Sequence, residues 1–275
     1  ALFLPGPAGL ILFGVLAVMT VAFAVAEFLN LAARAGSRGY PGLTVCAALL
    51  MVLFIIIFGA SGASHAPWWS AQLLLLTGFL AFCFFQASAT GDFAHGLQRL
   101  MVSVTALAVV YGPLSFIPKL YVSSGLGMEG RWLVFFLIMV TKAGDIGAYA
   151  VGTLTARGRH GNHKLAPRLS PKKSWEGLAG GIVASVVTAL AIVVLFRAHL
   201  EFGGKLAVSF PSAILLGILF AVLGLGGDLA ESSLKRAARA ENSGHLPGLG
   251  GVLDLTDSLT FVSPVFYAYL LLVQH

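Results

Sequence analysis

Charge is what this sequence has least of. Asp, Glu, Lys and Arg make up 10% of its 275 residues, against about 25% in soluble domains. Cysteine is nearly absent too. Cys46 and Cys83 both sit inside apolar runs and read as small packing residues, which excludes a disulfide framework and a zinc-cysteine site. His160, His163, His199 and His245 lack metal-ligand spacing. There is no Gly-x-Ser-x-Gly elbow and no Walker loop. No basic region precedes the first apolar run, which is too long for a signal-peptide core and carries Glu27, so it reads as a retained helix. No internal period and no low-complexity linker interrupts the chain.

Apolar length is what it has in excess. The chain is 58% hydrophobic, with mean hydropathy +0.91. A helix needs about 20 apolar residues to cross a bilayer core. Eight such spans are predicted, at roughly 8–33, 41–60, 68–87, 99–118, 132–154, 177–197, 210–228 and 254–274. Pro113 and Pro118 interrupt the fourth, so the count is bracketed at seven to nine. The fold class expected is all-α: a polytopic integral membrane protein. Residues 1–131 read as scaffold helices, and 132–275 as the half that holds the polar motifs, within one continuous membrane domain.

The net charge of +6 does not point to nucleic acid, because its distribution follows topology. Loops after the first, third, fifth and seventh spans hold most of the Lys and Arg, including Arg157, Arg159, Lys172, Lys173, Lys235 and Arg236. The positive-inside rule makes those loops cytoplasmic. The expected location is the cell (inner, cytoplasmic) membrane, with the polar motifs on its cytoplasmic side.

Four of the 11 acids fall in two short stretches between the last two spans, Gly227–Arg236 and Leu246–Ser258. Asp254 and Asp257 are three residues apart on a predicted helix, with Ser258 beside them. Carboxylates entering an apolar helix are costly unless they pair or bind a cation. Magnesium takes one or two carboxylates plus substrate phosphates, which fits Asp254 and Asp257. Helix-start acids favoured by the dipole are the alternative. Asp228, Glu231 and Ser232 share another helix face, with Glu231 and Lys235 also spaced for an ion pair. Lys142 and Asp145, with Tyr149, form an intramembrane constellation that either neutralises itself or serves a site.

Lys172, Lys173, Trp175 and Glu176 follow Ser170-Pro171. This pair suits a helix start, with Ser170 as cap and Pro171 as first helical residue. A helix N-terminus with clustered lysines favours phosphate. Gly248-Leu249-Gly250-Gly251 has the form of a phosphate-cradling turn, a weak signal alone.

Two stretches, Lys142–Gly152 continuing through Lys164–Gly177, and Asp228–Ser258, resemble the phosphatidate cytidylyltransferase (CDP-diacylglycerol synthase) family. The resemblance covers roughly the second half of the chain. It departs at Glu241-Asn242, where the family has Lys-Asp, at Leu249, where it has His, and at Leu255, where it has Arg. The resemblance implies a transferase that converts CTP and phosphatidic acid to CDP-diacylglycerol and pyrophosphate. It implies Mg2+, with a second cation as an option, on Asp228, Asp254 and Asp257. Phosphate contacts are expected from Lys172, Lys173, Lys235 and Arg236. Asp145, Ser170, Glu231, Ser232, Gly250, Gly251 and Ser258 complete the expected substrate-binding set. The alternatives are a relative acting on another lipid phosphate, a non-catalytic lipid-binding or assembly protein, and a transporter suggested by Glu27, Lys142 and Asp145. No inverted repeat of broken helices supports the last. Gly177, Gly180, Gly181, Ala184 and Ser185 permit close helix packing, within the chain or in a homodimer.

Overall fold

The computed structural model describes residues 2–4, 6–60, 68–89, 91–122, 130–158, 161–202, 205–244 and 250–274. Arg159, His160, His245, Leu246, Pro247, Gly248 and Leu249 lie outside the described residues.

Among the described residues, eight helices are long and apolar enough to cross a membrane. They are α1 (Gly6–Arg34), α2 (Pro41–Ala60), α3 (Trp68–Ala89), a composite fourth, α7 (Gly130–Ala156), α8 (Trp175–Leu195), α9 (Phe210–Ala237) and α10 (Val252–Gln274). The composite runs through α4 (Phe93–Ala106), a π segment (Leu107–Tyr111), α5 (Gly112–Leu114) and α6 (Phe116–Val122). Leu74 is 72% exposed and Leu272 79%. Surfaces of that kind are stable against lipid and costly in water. The protein is an all-α polytopic membrane protein. Among the described residues two small antiparallel strand pairs punctuate it: β1 (Lys164–Ala166) with β2 (Ser170–Ser174), and β3 (Glu201–Phe202) with β4 (Lys205–Leu206).

The chain forms two compact units: Ala1–Gly125 with Leu234–Thr256, and Leu126–Ser233 with Asp257–His275. Both α9 and α10 therefore contribute residues to each unit.

The first unit is built on α1, α2 and the composite helix, around a core of Val21, Val25, Leu29, Val52, Leu107 and Val110. Pro113 explains the interruption of the composite. Its ring cannot follow a regular turn, and the ladder widens just before it, with the Gly112 amide donating five residues back to Leu107. The apolar run continues past this defect, so the span persists. The Tyr40 amide donates to Ser103 Oγ at 2.9 Å, tying the start of α2 to α4.

The second unit is built on α7 and α8. Their small residues allow backbones to touch: a Cβ at Gly181 would sit 3.0 Å from the Gly144 carbonyl oxygen, and one at Gly177 2.9 Å from that of Ala148. The small-residue stripe is thus used within the chain. Phe136, Phe220 and Phe266 are fully buried and knit α7, α9 and α10, with ring centroids 5.4 to 6.2 Å apart.

The expected helix start at Ser170-Pro171 is corrected. Ser170–Ser174 is a strand, paired antiparallel to β1 with Ala166 opposite Ser170 and Lys164 opposite Ser174. Pro171 is tolerated because an edge strand can leave one side of its backbone without ladder bonds. The helix begins one strand later. Ser174, in extended conformation, caps α8 by accepting the Gly177 amide at 3.1 Å.

Candidate active site

Five ionic groups of the second unit, Lys142, Asp145, Lys173, Asp228 and Asp257, gather from three helices and one hairpin. On α7, Lys142 and Asp145 are one turn apart, and Lys142 Nζ donates to Asp145 Oδ2 at 2.8 Å. Ser258 on α10 closes a triangle. Its hydroxyl accepts from Lys142 at 2.9 Å and donates to Asp145 Oδ2 at 2.9 Å. On β2, Lys173 pairs with Asp228 of α9. Asp257, only 7% exposed, accepts its neighbour's amide, Ser258 N, at 2.6 Å and lies within electrostatic reach of Lys142, Asp145 and Lys173. Asp145, Asp228 and Asp257 thus each have a lysine close by, which is what makes their burial tolerable.

Glycines on α9 make this convergence possible. A Cβ at Gly227 would collide with the carbonyl of Asp257, and one at Gly224 would lie 3.3 Å from Ser258 Cβ. The run Gly224-Leu225-Gly226-Gly227 is therefore the reason α10 can bring Asp257 and Ser258 alongside α9.

A cavity of about 440 Å³ opens beside the cluster, and Asp145, Ser170, Lys172, Lys173, Asn162 and Asp228 contribute to its wall. That volume falls in the range of small-molecule sites. Lys172 is exposed and Lys173 half-buried, so the hairpin offers one ammonium to solvent while the other reaches Asp228. The hairpin is held from both ends. His163 donates its amide to Glu176, its ring Nδ1 meets the same carboxylate at 2.6 Å, and the Trp175 amide donates to the His163 carbonyl. The Asn162 amide group donates to the Gly152 carbonyl at 2.9 Å. Asn162, Thr153 and Lys164 were not singled out from the sequence, although all three line the cavity. Asn162 carried no signal beyond its polar neighbours, Lys164 lies in the stretch that carries the resemblance, and Thr153 falls at the end of the fifth span.

Not every expected residue gathers there. Glu231 is buried on α9 and Ser232 half-buried, one turn beyond Asp228 and outside the cavity wall. Asp254, Lys235, Arg236, Gly250 and Gly251 belong to the first unit. There Lys235 Nζ bonds Asp254 Oδ1 at 2.6 Å. Asp254 Oδ2 accepts from the Ser243 amide and hydroxyl and from the Gly251 amide, all at 2.8 to 2.9 Å. Gly250 has φ +81°, and a Cβ on it would meet the Asp254 carboxylate. In the described part of the glycine turn, the Gly251 amide is therefore directed at a carboxylate. Arg236 is exposed in the last turn of α9.

Among the described residues, no three His, Cys, Asp or Glu side chains are grouped to hold a metal ion. The donor chemistry nonetheless suits magnesium, which draws on one or two carboxylates and takes the rest of its shell from water and phosphate. Asp228 and Asp257 are hard oxygen donors within one unit, and Asp228 already faces a cation, the ammonium of Lys173.

Comparison with known proteins decides the family. The profile of the cytidylyltransferase family matches residues 2–273. The chain belongs to the cytidylyltransferase family. Within it, the chain is 31% identical over 220 residues to the phosphatidate cytidylyltransferase of Bacillus subtilis, covering 73% of this chain and 77% of that one. It is 30% identical over 235 residues to that of Staphylococcus epidermidis, covering 85% and 80%. The enzyme of the same name from Chlamydia muridarum is 36% identical over 148 residues, which are 53% of this chain and 45% of the chlamydial protein. The chain thus spans about half the length of the chlamydial relatives it matches. The family profile also takes in the N-terminal helices, which the sequence motifs alone had not connected to it.

Proposed function

We propose that this protein is a magnesium-dependent phosphatidate cytidylyltransferase, forming CDP-diacylglycerol and pyrophosphate from CTP and phosphatidic acid. The observation that carries the reading is the cluster of paired acids and lysines at the wall of the hairpin cavity. Membership of the family supports it, as do relatives bearing that name.

The reaction joins a phosphate oxygen of the lipid to the α-phosphorus of CTP. The bond from the α-phosphorus to the bridging oxygen breaks, and pyrophosphate leaves with that oxygen. The attacking oxygen is already anionic, so alignment and charge neutralisation matter more than a protein nucleophile. Asp228 and Asp257 would hold the metal, which supplies Lewis-acid neutralisation of the triphosphate. Lys173 exchanges its carboxylate partner for phosphate, and Lys172 meets the nucleotide at the open side. Lys142 and Ser258 hold the Asp145 carboxylate at a fixed angle to the cavity. The basic loops favour a cytoplasmic entrance for CTP, with the lipid entering sideways from the same leaflet.

The test is pyrophosphate release by purified protein in detergent, with CTP, phosphatidic acid and magnesium, omitting each in turn. Turnover that needs all three, and that Asp257→Asn abolishes in protein still monodisperse by gel filtration, is the expected result. Turnover undiminished in Asp257→Asn would remove that residue from the site. Absence of wild-type turnover beside an active relative would overturn the reading.

A further inference from the structure

The first helix carries one acid, and the mechanism above does not use it. Glu27 is half-buried within the first span. A carboxylate there is costly unless something engages it. Its partners are at the other end of the sequence. Oε1 accepts the Val252 amide at 3.0 Å. Oε2 accepts the Leu253 amide at 2.8 Å and lies 3.0 Å from the Ser243 hydroxyl, whose single proton it shares with Asp254 Oδ2. Val252 and Leu253 are the first two residues of α10.

A helix leaves its first four amides without intrahelical partners. In α10 these are the amides of Gly251 to Asp254: that of Gly251 goes to Asp254 Oδ2 at 2.8 Å, those of Val252 and Leu253 go to Glu27, and that of Asp254 goes to Ser243 Oγ at 3.3 Å. The residue ahead of the helix is Gly251, which has no side chain to serve as cap. The glycine is required by the same arrangement. A Cβ at Gly251 would collide with Ser243 Oγ and Glu27 Oε2, and one at Gly244 would collide with Glu27 Oε1. A carboxylate is also the charge that a helix N-terminus favours.

We propose that Glu27 is a positioning residue for cytidylyl transfer: it caps α10 from the first helix, with Ser243, and so fixes the turn that leads directly into Asp257 and Ser258. The proposal rests on the cytidylyltransferase reading for its catalytic half, while the capping itself does not. Asp257 is five residues into α10, about 7.5 Å along the helix axis at 1.5 Å per residue. Fraying of the first turn would leave this segment free to rotate, and a carboxylate displaced by about 1 Å can slow a reaction about 100-fold.

The test uses the full chain in detergent and two readouts. Amide hydrogen exchange is followed across 250–256 and, as an internal standard, across α8. Turnover gives kcat and KM for CTP. Glu27→Gln keeps one good acceptor and loses the charge; Glu27→Ala loses both. Exchange at Val252 and Leu253 should rise in the order wild type, Gln, Ala, by about tenfold or more in the last, with α8 unchanged. In Glu27→Gln, kcat should fall about tenfold with KM for CTP within about twofold, the pattern of lost transition-state alignment rather than lost binding. If Glu27→Ala does not fold, Ser243→Ala takes its place and should speed exchange at Asp254. Unchanged exchange at Val252 and Leu253 in Glu27→Gln overturns the capping. Faster exchange with wild-type kcat overturns the positioning role. Absence of wild-type turnover overturns the catalytic half, while the exchange data still decide the cap.

Discussion

Acids are handled in two ways in this protein, and a pair from each compact unit shows the contrast. In the second unit, Asp145 and Asp228 face the ammonium groups of Lys142 and Lys173 through side-chain contacts alone. In the first unit, Glu27 and Asp254 accept mainly amides and a hydroxyl that belong to the start of α10 and the turn before it. The difference is one of exchangeability. A lysine can swing from a carboxylate to a phosphate without disturbing the backbone. An amide in the first turn of a helix cannot leave its acceptor without fraying that turn. Ionic pairs suit a place where charged ligands exchange, as the proposed function requires of this cluster. Capping bonds suit a place that must hold still.

The largest test of this contrast removes an exchangeable partner. Lys173→Met should lower kcat/KM for CTP about 100-fold, the size expected for a charge that stabilises the transition state. Pyrophosphate release checks it. The double variant with Asp228→Asn should lose less than the two single losses combined, because the two residues act as a pair. Additive losses would show that they act separately. A middle-sized effect comes from the glycine that lets α10 approach α9. Gly227→Ala places a methyl against the Asp257 carbonyl, and overpacking of that kind costs about 1–3 kcal/mol. A lower apparent unfolding temperature in detergent is the expected outcome, and an unchanged one would mean the helices can part without penalty. The smallest effect separates cap from ion pair inside the second unit. Ser174→Ala removes the cap of α8, worth about 1 kcal/mol. Faster exchange at the Gly177 amide, independent of salt, would mark it as a fixed element like those of the first unit.

The helix inventory was legible because lipid imposes it. A span must be long, apolar and internally hydrogen-bonded, and each of these is visible in one dimension. The composite fourth span was the hardest to place, since Pro113 disturbs the helix without ending it. The start of α8 was misread because Ser-Pro and Ser-Trp both suit a helix start, and only the pairing of β2 with β1 chooses between them.

The site was legible in its residue types and less so in its grouping. Asp145, Lys172, Lys173 and Asp228 were recognisable because charge is rare here, and they do share one cavity wall. Asp254 and Asp257, three residues apart on a single helix, read from the sequence as one pair. Folding gives them different neighbours: Ser243 and Lys235 for the first, Ser258 for the second.

The sequence alone determined that this chain is a membrane protein of about eight spans with a scarce, concentrated set of charges, because the cost of burying polar groups in lipid acts on each residue locally. Only the tertiary structure decided which charges face each other, that Ser258 completes the Lys142–Asp145 pair across 116 residues in one instance and 113 in the other, and that the first helix caps the last. Those are contacts between residues far apart in the chain, and their partners are chosen by helix packing that no local pattern encodes.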